Sequence, residues 1–81
     1  MPYPIKSPLH RTFLANVKAR REELNLTQAD AAARVKMSRV SYAQIETGRR
    51  NPTLKMVERV AKALRCSPLK LLSANEPSLA K

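Results

Sequence analysis

Residues 27–53 read TQADAAARVKMSRVSYAQIETGRRNPT, and this stretch decides the fold. Thr27 stands before Gln28, Ala29 and Asp30, so its hydroxyl can cap a helix while Asp30 sits in the positive first turn. The helix it opens runs to about Val35 and is mostly alanine, which gives high helix propensity and lets another helix approach closely. Lys36 and Met37 form the break, and Ser38 is the next N-cap. A further helix then runs from Arg39 to about Thr47, with Gly48 supplying the C-terminal stop. Turning Tyr42 and Ile45 inward, on the face of Ser38, points Val40, Ala43 and Gln44 outward with Arg39 at the leading end. Two short helices about a tight turn therefore present one outward face.

Upstream, Phe13, Leu14, Val17, Arg21 and Leu24 recur at helical spacing and mark an amphipathic helix ending near Asn25. One member of that stripe is charged, and a charge there is costly unless paired. Prolines at positions 2, 4 and 8 make residues 1–10 an extended, flexible arm, with the domain spanning 11–73 and a polar, flexible tail at 74–81. Downstream, Gly48, Arg49, Arg50, Asn51 and Pro52 form a basic turn. Thr53 caps a fourth helix with the stripe Leu54, Val57, Val60, Ala61 and Leu64. Ser67 and Pro68 open a last short turn whose Leu69, Leu71 and Leu72 close the core. Tyr42, Met56 and the leucines are assigned to the core by default.

With 81 residues, 43% of them hydrophobic, the chain has room for one small helical domain. A body this small is marginal on its own, and the single Cys66 excludes an internal disulfide, so a dimer is expected. One unpaired cysteine suits a reducing cytoplasm. No apolar run reaches the roughly 20 residues of a membrane span, and MPYPIKSPLH lacks the apolar segment of a signal peptide. A soluble intracellular protein is the expectation. Sixteen Lys and Arg against six Asp and Glu leave a net charge of +10, a field that draws polyanions, with nucleic acid the first partner to consider. Enzyme chemistry finds no support: there is no glycine-rich phosphate loop, no paired carboxylates and no Cys, His or Asp cluster. His10 and Cys66 stand alone, so neither a metal nor a cofactor is expected.

The segments TQADAAARV, SRVSYAQIE, GRRNPTL and VERVAKAL, in that order, resemble the Cro and lambda-repressor type helix-turn-helix (XRE-like) family over roughly Phe13 to Leu72. The resemblance implies an all-α, five-helix lambda-repressor-like DNA-binding domain, as in small phage repressors and restriction-modification controller proteins. It implies that Arg39, Val40 and Gln44 face bases and that Ser41 lies near the DNA. Chemistry agrees, since arginine can fork onto guanine, glutamine can bond adenine, and valine can meet a thymine methyl. Gln28 matches a position that commonly contacts a phosphate, and its place at a helix N-terminus suits an anion. Ser38, Arg49, Arg50 and Asn51 are assigned to backbone contact or support of the reading helix. For Arg21 the family carries an arginine and glutamate pair at the matching places, which makes Glu46 its structural partner. For each outward residue the competing reading is a solvated surface side chain.

Three positions depart from the family pattern. Lys36 replaces the usual turn glycine, so a side chain has to enter a left-handed backbone conformation at about 1 kcal/mol. Ala31 replaces a leucine, and Tyr42 a common isoleucine or valine. The functional expectation is a cytoplasmic, nucleoid-associated transcriptional regulator binding a two-fold operator as a homodimer, with the dimer surface on the fourth helix and the Leu69 to Leu72 turn. The alternative is an antitoxin or adaptor whose main partner is another protein.

Overall fold

The structure is a computed structural model and describes residues 7–73. It holds α1 (Pro8–Glu23), α2 (Gln28–Val35), α3 (Arg39–Thr47), α4 (Leu54–Ala63) and α5 (Pro68–Leu72), with no strand among the described residues. A side-chain oxygen caps each helix at its start. Ser7 accepts from the Leu9 and His10 amides, Ser38 from Ser41, Thr53 from Met56 and Ser67 from Lys70. Thr27 and Asp30 form a reciprocal capping box, each side chain taking the other's amide at 3.0 Å. That bond from the Thr27 amide holds the Asp30 carboxyl below its usual pKa.

The first helix starts at Pro8, three residues before the expected Arg11. Proline breaks helices from within, but at the first position its missing N–H costs nothing and its fixed φ suits the turn. Residues 8–10 therefore belong to α1 and not to an arm. The rest of the expected arm, residues 1–6, and the expected tail, 74–81, lie outside the described residues.

Four helices end alike. Asn25, Lys36, Gly48 and Arg65 take left-handed conformations, with φ of 58°, 68°, 83° and 57°. After each, the next amide reaches back five residues: Leu26 to Arg21, Met37 to Ala32, Arg49 to Gln44 and Cys66 to Ala61, at 3.0 to 3.1 Å. Lys36 thus adopts the conformation expected of it without a glycine's freedom, and Arg65 does the same.

The core is one cluster of Phe13, Val17, Ala31, Ala32, Val35, Tyr42, Ile45, Val57, Val60, Ala61, Leu64 and Leu71, with Met56 and Leu72 packed partly against it. α3 packs on α1 and α2, and α5 on α1 and α4. Ala31 and Ala32 are fully enclosed, so the small side chains of α2 do set a close approach to α3. Assigning every leucine to the core needs correction at Leu9, Leu54 and Leu69, which are 54%, 80% and 74% exposed. Leu54 occupies the first position of α4, ahead of the turn where that helix first meets the core through Val57. Leu69 lies on the outer side of α5, whose inner side is Leu71.

Candidate nucleic-acid interface

The helix α3 has an inner face tied to the other helices by side-chain hydrogen bonds and an outer face turned away from them. Inside, Glu46 is nearly buried and its carboxylate takes four hydrogen bonds. Arg21 donates from Nε at 2.7 Å and from a terminal nitrogen at 3.1 Å, Gln28 donates from Nε2 at 3.1 Å, and the Tyr42 hydroxyl donates at 2.5 Å. The remaining Arg21 nitrogen reaches the Leu26 carbonyl at 2.9 Å. One carboxylate therefore joins α1, the α1–α2 turn, the start of α2 and α3. Burial by itself pushes the Glu46 carboxyl up, but the bonds from Arg21, Tyr42 and Gln28 together outweigh it and the net direction is down. The bond to Glu46 raises the Arg21 guanidinium, and burial together with the same carboxylate raises the Tyr42 phenol. This arrangement fixes both the rotation and the tilt of α3.

Outside, Arg39, Val40, Ala43, Gln44 and Thr47 line one shallow hollow together with Arg49 from the loop that follows. Arg39 and Thr47 are exposed, Val40 is 65% exposed, and Ala43 and Gln44 are half-buried. The side chains of Arg39 and Gln44 make no hydrogen bond or ion pair among the described residues. Arg50 and Asn51 are exposed on the loop that follows. Ser38 and Ser41 differ in character, since the Ser38 hydroxyl is taken by the Ser41 amide at 3.0 Å. Gln28, read from sequence as a phosphate contact, has its amide nitrogen on Glu46 and so braces α3 from α2.

Sequence reading missed three side chains that hold this platform together. Asn16 donates to the carbonyls of Lys70, Leu71 and Ser73 at 3.3, 2.9 and 2.8 Å, closing the end of α5. Arg20 caps α4 through the Leu64 and Arg65 carbonyls, both at 2.9 Å, and Arg59 caps α2 through Val35 at 2.7 Å. Among the described residues no three His, Cys, Asp or Glu side chains group as metal ligands, and no helix is long and apolar enough to cross a membrane.

The helix-turn-helix profile HTH_3 matches residues 17–71, which takes in the α2–turn–α3 unit and most of the core around it. The chain belongs to the helix-turn-helix family. Within that family it is similar to the HTH-type transcriptional regulator DicA of Escherichia coli strain K12, with 38% identity over 65 residues, 80% of this chain and 48% of DicA. The chain thus spans about half the length of that regulator. It is also similar to an uncharacterized HTH-type transcriptional regulator of Methanothermobacter thermautotrophicus, 40% identical over 48 residues, 59% of this chain and 70% of the relative. Among solved structures, the hypothetical transcription factor NHTF from Neisseria superposes with a TM-score of 0.83 at 22% identity, covering 99% of this chain and 94% of that one. The clp gene regulator ClgR of Corynebacterium glutamicum gives 0.75 at 21% identity, with 83% and 87% covered. At these identities the two structures establish the helix-turn-helix fold and nothing finer.

Proposed function

We propose that this chain is a sequence-specific double-stranded DNA-binding transcriptional regulator, acting in the cytoplasm as a homodimer on a two-fold operator. The observation that carries the reading is the asymmetry of α3, whose inner face is fixed through Glu46 while Arg39, Val40 and Gln44 stand together outside with no side-chain polar partner among the described residues. A major groove accepts a helix of this width, and those side chains offer a guanine fork, a methyl contact and an amide. Arg49, Arg50 and Asn51 then meet phosphates beside the groove, helped by the net charge of +10. The names of the relatives, transcriptional regulators both, point the same way.

One domain reads only a few base pairs, so a symmetric pair reading half-sites about 10 bp apart supplies the missing selectivity. Selection of bound duplexes from a random pool should return a two-fold site. A pool that stays random after several rounds, while binding remains tight and steeply salt-dependent, would reduce the function to indiscriminate phosphate binding.

A further inference from the structure

Away from the outer face of α3, the molecule carries a charge cluster with no part in base reading. A hollow of about 480 Å³ opens between the C-terminal ends of α2 and α4, lined by Arg34, Lys36, Arg59, Lys62 and Arg65, with Val35 and Ala63 as its apolar members. No residue of α3 borders it, and none of its lining residues borders the hollow outside α3. All five cations are exposed, and no carboxylate is among the residues that line it. The acid that feels Arg34 is Asp30, one turn before it on α2, and its carboxylate already takes the Thr27 amide at 3.0 Å. We infer that this hollow is a binding site for a small soluble polyanion built of linked phosphates, separate from the DNA face.

Two of the five cations have a structural duty. Arg34 reaches from α2 to the Ala63 carbonyl at 3.4 Å and Arg59 from α4 to the Val35 carbonyl at 2.7 Å, so each helix caps the other's end and both guanidiniums are held at the rim. Each uses one nitrogen for this. The side chains of Lys36, Lys62 and Arg65 make no hydrogen bond or ion pair among the described residues. Helix dipoles do not account for them, because each C-terminal end is worth about half a negative charge and the two ends together offset about one of the five cations. The backbone does not call for them either. Lys36 and Arg65 hold φ of 68° and 57°, where glycine fits freely, as Gly48 does at the end of α3. Like charge gathered in one concave place opposes folding until an anion enters it. Arginine forks match phosphate oxygens, and one phosphate group, with three strong acceptor oxygens, is too small for five cations, so a chain of them fits better. The lining has no aromatic ring to stack a base and no apolar seat beyond Val35 and Ala63 for the side chains of an acidic peptide.

Calorimetric titration of the whole chain with sodium tripolyphosphate, at a fixed ionic strength of about 0.15 M, tests the site. The anion should bind at least about tenfold more tightly than sulfate under the same screening. Lys62→Gln together with Arg65→Gln, both exposed and without side-chain bonds, should weaken that binding at least about tenfold, with folding checked by circular dichroism. Lys18→Gln together with Lys55→Gln removes the same charge from exposed positions outside the hollow and should change it less than about twofold. Equal losses in the two double variants would reduce the effect to the field of the whole body and overturn the inference, as would tripolyphosphate binding no better than sulfate. On the duplex selected for α3, the two double variants should lose affinity alike. A further loss of about tenfold with Lys62→Gln and Arg65→Gln would assign the hollow to the DNA backbone and overturn a separate site.

Discussion

Replacing Glu46 with leucine should be among the most damaging single changes available to this fold. The Glu46 side chain is 3% exposed and that of Arg21 12%, so the substitution strands a guanidinium in a nearly dry site. Breaking such a pair from one side costs about 3 to 5 kcal/mol. A domain of this size holds only about 4 to 12 kcal/mol in total. At about 4 to 8 °C per kcal/mol, a loss in the middle of that range lowers the midpoint by roughly 15 to 30 °C. Urea or thermal unfolding followed by far-UV circular dichroism gives the number directly.

The companion substitution Arg21→Met, made together with Glu46→Leu, should recover part of the loss by removing the stranded charge. Recovery stays incomplete, because the buried Tyr42 hydroxyl still lacks its acceptor at a cost of about 1 to 3 kcal/mol. Adding Tyr42→Phe should return that remainder. The pH dependence has a definite sign. With its folded pKa depressed, Glu46 contributes stability that is fully present above the ordinary carboxylate value of 4.5 and lost as pH falls through the lower folded value. The acid limb of the stability curve should therefore be shallower in the triple variant. Strict additivity of the two single losses, or a cost for Glu46→Leu below about 1 kcal/mol, would refute the account of a coupled buried hub.

Arg39→Ala should cost about 1 to 3 kcal/mol on the selected operator and relax preference at one base pair, measured by fluorescence anisotropy against single-base variants. Arg50→Ala should weaken all duplexes alike and reduce the salt slope by about one unit; equal behaviour of the two variants on selected and scrambled DNA would abolish the division between reading and positioning. Lys36→Gly should stabilise the domain by up to about 1 kcal/mol in urea unfolding, since the left-handed φ of 68° is strained for lysine and not for glycine. A destabilised Lys36→Gly would mean that the backbone entropy of glycine outweighs the relief.

What could be read from the chain beforehand is what depends on near neighbours. The caps at Thr27, Ser38, Thr53 and Ser67 act within three residues, so the starts of α2 to α5 were legible. The start of α1 was obscured because a proline signal has two meanings, and only the preceding Ser7 distinguishes a helix start from an extended arm. Leu54 fits the periodic stripe of α4 but precedes the turn that meets the core, a fact of packing that spacing does not contain. Asn16, Arg20 and Arg59 gave no local sign of their capping roles, for the carbonyls they cap lie between 24 and 57 residues away. At the candidate site, the Arg21 and Glu46 pair was suggested by a charge on an apolar stripe together with the family pattern. The hydroxyl of Tyr42 and the amide of Gln28 joined the same carboxylate only once three helices were in place.

Because the side chains of Arg39 and Gln44 make no hydrogen bond or ion pair among the described residues, the proposed function separates the domain's address from its scaffold. On that proposal, exchanging Arg39, Val40 or Gln44 should alter what the protein recognises at almost no folding penalty, whereas the residues beneath them tolerate little. A lineage built this way can drift from one target to another by surface edits alone, and libraries randomised at those positions should yield folded proteins with new preferences.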